Sequence, residues 1–254
     1  MGNPLGRALT RWYRRAIFSP LRYSKYFLAA QGVFSYWPNE EMLKIAMKFA
    51  AVSKLEGDYL EFGVYEGANV VAAWHLARHH GLHGMRLYAF DSFQGLPPVA
   101  SVDHGGDVAF FERGEFSCDL ETFRRNTRRK GVDPERLTIV PGWYGEVLTA
   151  ETRQRLPLQK AAIVWVDCDL YESTVPVLDF VTDYVQDGTV LVFDDWFCFR
   201  GDPDRGEQRA FREWLQRHPS LRATPFHRFG WHGQSFLLHP GNREATNRRG
   251  DGRD

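Results

Sequence analysis

The sequence predicts an α/β protein built on a mostly parallel, doubly wound sheet. Three observations carry this prediction. Short apolar runs alternate with helical patterns from residue 57 to residue 239. Two of the runs stop abruptly at acid: residues 161–169 read AAIVWVDCD, and residues 189–195 read TVLVFDD. Apolar runs this short, bounded by turn signals, are what strands buried on both faces look like. Strands that alternate with helices imply parallel pairing, because each return crossing is a helix.

The elements follow in order along the chain. Residues 1–38 are basic and aromatic and are expected to form an N-terminal helical extension. Asn39 is placed as the cap of the next helix, with Glu40 and Glu41 at its positive end. Its apolar stripe is Met42, Ile45, Ala46, Phe49 and Ala50, and Gly57 closes it. Tyr59–Gly63 reads as a strand, Ala68–His80 as a helix and Arg86–Asp91 as a second strand. A long loop spans residues 92–117. Asp119–Lys130 is a helix, Leu137–Val140 a third strand and Ala161–Asp167 a fourth. Ser173–Gln186 is a helix that tolerates Pro176 in its first turn and ends at Asp187-Gly188. Thr189–Asp194 is the fifth strand and Gly206–Arg217 a helix. Ala223–His227 and Gln234–His239 close the sheet as an antiparallel pair, making seven strands. Residues 39–239 then form one domain, and residues 240–254 lack an apolar face and are expected to be disordered.

Composition narrows the function. The 254 residues are 43% hydrophobic, and basic and acidic residues balance at 32 each. No global field draws the chain to nucleic acid or to anionic lipid. No apolar run reaches the roughly 20 residues that span a bilayer, and no secretory leader pattern is present. Three cysteines, Cys118, Cys168 and Cys198, have no metal-ligand spacing. A sparse, odd count fits a reducing, cytoplasmic setting. The expected partner is a small molecule, and the aromatic extension suits a second subunit or a lid over the substrate.

In open α/β sheets the ligand sits outside the carboxyl ends of the strands. Asp167, Asp169, Asp194 and Asp195 are therefore expected at one mouth. Carboxylates that close repel one another, and at least one would stay protonated. A hard divalent cation such as Mg²⁺ removes that conflict. The acids alone thus point to a metal-dependent enzyme.

The first strand ends in Glu61-Phe62-Gly63-Val64-Tyr65-Glu66-Gly67, and a helix follows. Glycines there let the backbone turn sharply and let a ligand approach. The second strand ends in Asp91, 24 residues after Gly67, where a nucleotide-binding sheet places an acid for ribose hydroxyls. The GxGxxG of dinucleotide folds is missing, and Glu61 would repel a phosphate. An acid beside this turn suits a ligand with adenosine and a cationic amino-acid end, which describes S-adenosylmethionine.

The motifs EFGVYEG, FDSFQGLP, VPGWY, VDCDLYEST and VFDDW, in this order, resemble the macrocin/mycinamicin O-methyltransferase family. The resemblance covers residues 57–238. It implies a Rossmann-like class I methyltransferase fold, S-adenosylmethionine and Mg²⁺ as cofactors, and methylation of a sugar hydroxyl on a natural product. Carried onto this sequence, the metal ligands are Asp167, Asp194 and Asp195. Asp167 also matches the residue treated as general base. Glu61, Gly63, Tyr65 and Gly67 would surround the amino-acid end of the cofactor. Asp91 would hold the ribose with Ser92 and Phe93 beside it, and Gly142 and Trp143 would flank the adenine. The region before Asn39 and the loop 99–117 carry no match and are expected to set the acceptor, a sugar or another polyhydroxylated product.

A carboxylate that ligates metal loses basicity, so Asp169 and His232 are further candidates for the base. Each has a plainer alternative: Asp169 as the cap of the helix near Ser173, His232 as a structural histidine. Cys168, between two acids, reads as buried packing. A nucleotide-sugar glycosyltransferase is the second function, because Asp167-Cys168-Asp169 is a DxD at a strand end. It leaves the Asp194-Asp195 pair without a task. A non-catalytic binding protein, the third, leaves the whole acid cluster without one.

Overall fold

The computed structural model describes residues 38–103 and 111–241. The chain divides into two compact units, Met1–Pro38 and Asn39–Asp254, and the sheet belongs to the second. The expected extension over residues 1–38 and the tail over 240–254 lie outside the described residues, but for Pro38, Pro240 and Gly241.

The apolar runs become the strands of one seven-stranded sheet. They are β1 (Asp58–Phe62), β2 (Leu87–Asp91), β3 (Leu137–Pro141), β4 (Ala161–Val166), β5 (Val185–Phe193), β6 (Leu221–Phe229) and β7 (Gly233–Pro240). Their spatial order is β3-β2-β1-β4-β5-β7-β6. The first five pair in parallel; β7 runs antiparallel to β5 and to β6. Strand order reverses direction between β1 and β4, which opens a crevice at their carboxyl ends.

Alternation along the strands feeds two apolar layers. One face carries Tyr59, Ala89, Ile163, Trp165, Val190 and Val192. It packs on Met42, Leu43 and Met47 of α1 (Pro38–Val52) and on Val70, Val71 and Trp74 of α2 (Ala68–His79). The other face carries Phe62, Phe90, Val164, Val166 and Phe193. It packs on Val177, Leu178 and Phe180, whose helix spans Tyr171–Val181, and on Phe211 and Trp214, whose helix spans Gly206–Arg217. Each such side chain, fully buried, is worth about 1.5–3 kcal/mol. The strand ends are therefore a rigid platform for whatever side chains they carry.

Helix α3 (Leu120–Arg129) matches the sequence reading, and two short helices, α4 (Tyr144–Val147) and α5 (Ala150–Arg155), add to it. Thr149 caps α5 by accepting from the Thr152 amide. The helices Tyr171–Val181 and Gly206–Arg217 complete the set as α6 and α7. Several boundaries differ from expectation. Helix α6 runs over Tyr171–Val181 instead of Ser173–Gln186, which puts Pro176 in its interior and not in its first turn. Helix α1 starts at Pro38, so Asn39 lies inside its first turn instead of capping it, and the helix ends at Val52, ahead of Gly57. Gly57 instead admits the chain into β1, where a Cβ would stand 2.7 Å from the Lys160 carbonyl oxygen. Asp187-Gly188 does not end α6, because it falls within β5. There Ala161 pairs with Val185 but Ile163 with Val190. Thr189 Oγ1 closes the extra turn by accepting from the Gln186 amide at 3.0 Å and donating to the Ala161 carbonyl at 2.8 Å.

Leu96, Pro97, Phe111 and Phe116, from the described parts of the segment after β2, line the crevice. The Leu96 amide donates to the Glu115 carbonyl and the Gly114 amide to the Leu96 carbonyl, each at 3.0 Å. Asp103, 4% exposed, fastens the segment down. Its Oδ2 accepts from the Tyr171 amide at 2.8 Å and its Oδ1 from the Gly206 amide at 2.9 Å. One carboxylate thus satisfies the first amides of both α6 and α7, where the helix dipoles favour an anion.

Candidate active site

A cavity of about 520 Å³ opens at the carboxyl ends of β1, β2, β4 and β5, a size typical of small-molecule sites. Its lining includes a set around the glycine turn, Gly63, Tyr65, Asp91, Ser92, Gly142 and Trp143, and a set of acids, Asp167, Asp169, Asp194 and Asp195. The sequence-predicted residues therefore converge, with four differences of placement. Glu61, Gly67 and Phe93 stand behind the lining, and His232 approaches the acids from the β6–β7 turn.

The glycine-turn side is held by Asp91. Its Oδ2 accepts from the amides of Val64 (2.8 Å) and Tyr65 (3.2 Å), and its Oδ1 from the amide of Phe93 (2.6 Å). Burial pushes this carboxyl up from its ordinary range, and the three amides oppose that shift. Gly63 has φ of 88°, and a Cβ on it would collide with the Asp167 carbonyl oxygen. The turn is glycine because β4 passes there. At Gly67, φ 86°, a Cβ would meet the Phe123 ring at 2.9 Å, and Phe93 also packs on that ring. Glu61 is 1% exposed and accepts from the Tyr59 hydroxyl at 2.6 Å. Burial raises it well above the carboxylate range, Tyr59 opposes this, and the Asp194 and Asp91 charges add to it.

The acid side is different in kind. One oxygen each from Asp167, Asp194 and Asp195 lie within 4.8 Å of one another. Asp194 Oδ1 and Asp195 Oδ2 are buried without a hydrogen-bond partner. Burial, then the charges of Asp194, Asp195, Asp169 and Glu61, push Asp167 well above the usual carboxylate range. Burial and Asp195 do the same to Asp194, against a hydrogen bond from Asn39. Buried acceptors with nothing to accept from are costly. Three converging carboxylates with free oxygens fit a hard, oxygen-loving divalent cation.

Asp169 is no helix cap. Leu170 takes the N-cap position of α6, while the Leu170 amide donates back to the Cys168 carbonyl at 2.6 Å around Asp169 at φ 61°. A non-glycine residue in so tight a turn costs roughly 1–3 kcal/mol. The turn brings the Asp169 amide and carboxyl onto Asp195. Burial, then Asp195 and Asp194, raise Asp169 well above its ordinary range. Cys168 is buried, as expected, with its thiol 3.7 Å from Thr174 Oγ1. His232 Nδ1 donates to the Asp194 backbone carbonyl at 2.7 Å and stands 3.8 Å from Asp194 Oδ1.

Sequence reasoning missed Glu207, Asp103, Cys198 and Tyr144. Glu207 is 1% exposed and accepts from the Asp195 amide at 2.9 Å. Cys198 Sγ donates to Asp195 Oδ1 at 3.3 Å. Tyr144 lines the cavity, its hydroxyl 3.4 Å from the Phe90 carbonyl.

A Rossmann-like sheet with a small-molecule cavity at its reversal point is the architecture of class I methyltransferases. Solved structures share it. The chain aligns with the O-methyltransferase NovP at a TM-score of 0.63 and 21% identity, over 81% of this chain and 83% of that one. It aligns with the calicheamicin methyltransferase CalS11 at 0.63 and 21%, over 93% and 94%. Residues 40–216 match the model of the macrocin-O-methyltransferase (TylF) family. The chain belongs to this family.

Two curated relatives are similar in sequence. The 8-demethyl-8-(2,3-dimethoxy-alpha-L-rhamnosyl)-tetracenomycin-C 4'-O-methyltransferase of Streptomyces olivaceus is 29% identical over 61% of this chain and 58% of its own length. The mycinamicin III 3''-O-methyltransferase of Micromonospora griseorubida is 27% identical over 64% and 61%. The chain thus spans about six-tenths of these relatives. Family membership does not favour the nucleotide-sugar reading. Among the described residues, no helix is long and apolar enough to cross a membrane.

Proposed function

We propose that the protein is an S-adenosylmethionine- and Mg²⁺-dependent O-methyltransferase acting on a hydroxyl of a sugar or another polyhydroxylated natural product. One observation carries the metal: Asp167, Asp194 and Asp195 converge within 4.8 Å, with buried oxygens left unpartnered on two of them. Family membership supports the methyl donor, and a relative whose name specifies a rhamnosyl group supports a sugar acceptor. The methyltransferase unit in this reading is residues 39–239. Three buried free cysteines suit a cytoplasmic setting.

When bound, the donor would supply an electrophilic methyl group, its S–CH3 bond breaking as the O–CH3 bond forms and S-adenosylhomocysteine leaves; Asp167, Asp194 and Asp195 would hold the cation, whose charge would lower the pKa of the acceptor hydroxyl. The chain does the rest. The Val64–Tyr65 amides, fixed by Asp91, shape the donor side with Gly63, Gly142 and Trp143. Asp169, turned into the cluster by its strained backbone, takes the hydroxyl proton on its carboxylate. Asp167 and His232 are the other groups within the same neighbourhood for that step. Leu96, Pro97, Phe111 and Phe116 give the cavity an apolar stretch of lining.

The test is methyl transfer from labelled S-adenosylmethionine to a panel of 6-deoxyhexosyl glycosides. Transfer with Mg²⁺ and its loss in EDTA is the expected result. Full transfer in EDTA would remove the metal from the mechanism.

A further inference from the structure

Resting on that reading, we propose that Glu207 is a positioning residue that aims Asp195 at the cation. Asp195 is held at both its backbone and its carboxylate. Its amide donates to Glu207 Oε2 at 2.9 Å. Its Oδ1 accepts from the Cys198 thiol at 3.3 Å. Its Oδ2, the oxygen left over, is buried and unpartnered. With Asp169 also against this carboxylate, Asp195 is held on several sides while it contributes an oxygen to the cluster with Asp167 and Asp194.

Glu207 is itself fixed. It lies in the first turn of α7, 1% exposed. The amide of the preceding residue, Gly206, is anchored by Asp103 Oδ1 at 2.9 Å. Gly206 has φ of 50°, and a Cβ there would stand 2.7 Å from the Phe199 ring. A single line of contacts therefore reaches the acids from Asp103: Asp103, Gly206, Glu207, Asp195. Groups that orient a ligand from behind typically change metal affinity 10–100-fold when lost.

The experiment titrates Mn²⁺ into the full chain, reading bound ion by electron paramagnetic resonance, for wild type, Glu207→Asp and Glu207→Gln. S-adenosylhomocysteine affinity and melting temperature are measured alongside. Aspartate is one methylene too short to reach the Asp195 amide, so Mn²⁺ affinity should fall about tenfold or more. Glutamine keeps an acceptor oxygen at that amide, so its affinity should stay within about threefold of wild type. S-adenosylhomocysteine binding should be unchanged in both. Equal Mn²⁺ affinity in Glu207→Asp and wild type would overturn the proposal. So would an equal loss in both variants, since charge and not amide acceptance would then be the role. Failure of wild type to bind Mn²⁺ at all would instead remove the metal reading on which the proposal stands.

Discussion

The two sides of the cavity use carboxylates in opposite ways. Asp91 is engaged by the chain: three backbone amides donate to its two oxygens. In the acid set, Asp194 Oδ1 and Asp195 Oδ2 have no hydrogen-bond partner, although both are buried. A carboxylate that accepts several amides organises the backbone around it. Carboxylates that face one another with free oxygens are organised for something absent from the chain itself. On the proposed reading, the difference separates a residue that shapes a site from residues that bind at it, and residue type alone does not reveal it.

Gly63 is where the two sides touch, so it gives the largest expected effect. Gly63→Ala places a Cβ against the Asp167 carbonyl at a φ that disfavours side chains. We expect a loss of roughly 3 kcal/mol or more in denaturant unfolding. A variant as stable as wild type would show that β1 and β4 can part without harm.

Next comes the acid side. Asp194→Asn should lower turnover by about a hundredfold or more, roughly 2.7 kcal/mol of barrier, in a steady-state assay with Mg²⁺. Its affinity for S-adenosylhomocysteine should stay close to that of wild type. Asp91→Ala should do the reverse. With the Val64 and Tyr65 amides released, S-adenosylhomocysteine affinity should fall about tenfold, or ~1.4 kcal/mol. Equal effects of both variants on both readouts would collapse the distinction between the two sides.

The smallest effect concerns stability without metal. The raised folded-state pKa of Asp194 means that the native state binds this proton more tightly than the unfolded chain does. That contribution is fully present below the ordinary carboxylate range and is lost as pH rises through the folded value. In EDTA, Asp194→Asn should therefore melt higher than wild type at pH 8, by about 2–4 °C for about 1 kcal/mol. The gap should close as pH falls towards 4. A gap that widens on acidification would contradict the sign of the shift.

Much of this was legible in the sequence because strands and acids share one local signal. VWVD and VFDD announce both a buried strand and the acids at its end, so the convergence of Asp167, Asp169, Asp194 and Asp195 was legible locally, while the choice of Asp167, Asp194 and Asp195 among them came from the family resemblance. Asp91 was legible as an acid at a strand end, but not as a hub for three amides. Glu207 reads as an ordinary acid in a helix first turn, and nothing local reveals that it is buried under Asp195. Asp103 binds amides 68 and 103 residues away, a range over which no periodicity speaks. The turn within β5 was misread because DG is the same signal in a helix stop and in a strand irregularity; pairing with Ala161 decides between them.

The most direct measurement is calorimetric titration of S-adenosylhomocysteine into the full chain, first with Mg²⁺ and then with EDTA. The division of the cavity predicts micromolar binding in both conditions, because the donor side is built from Asp91 and the turn it holds. No binding in either condition would contradict the methyltransferase reading. Binding that vanishes with EDTA would show that the two sides are one site.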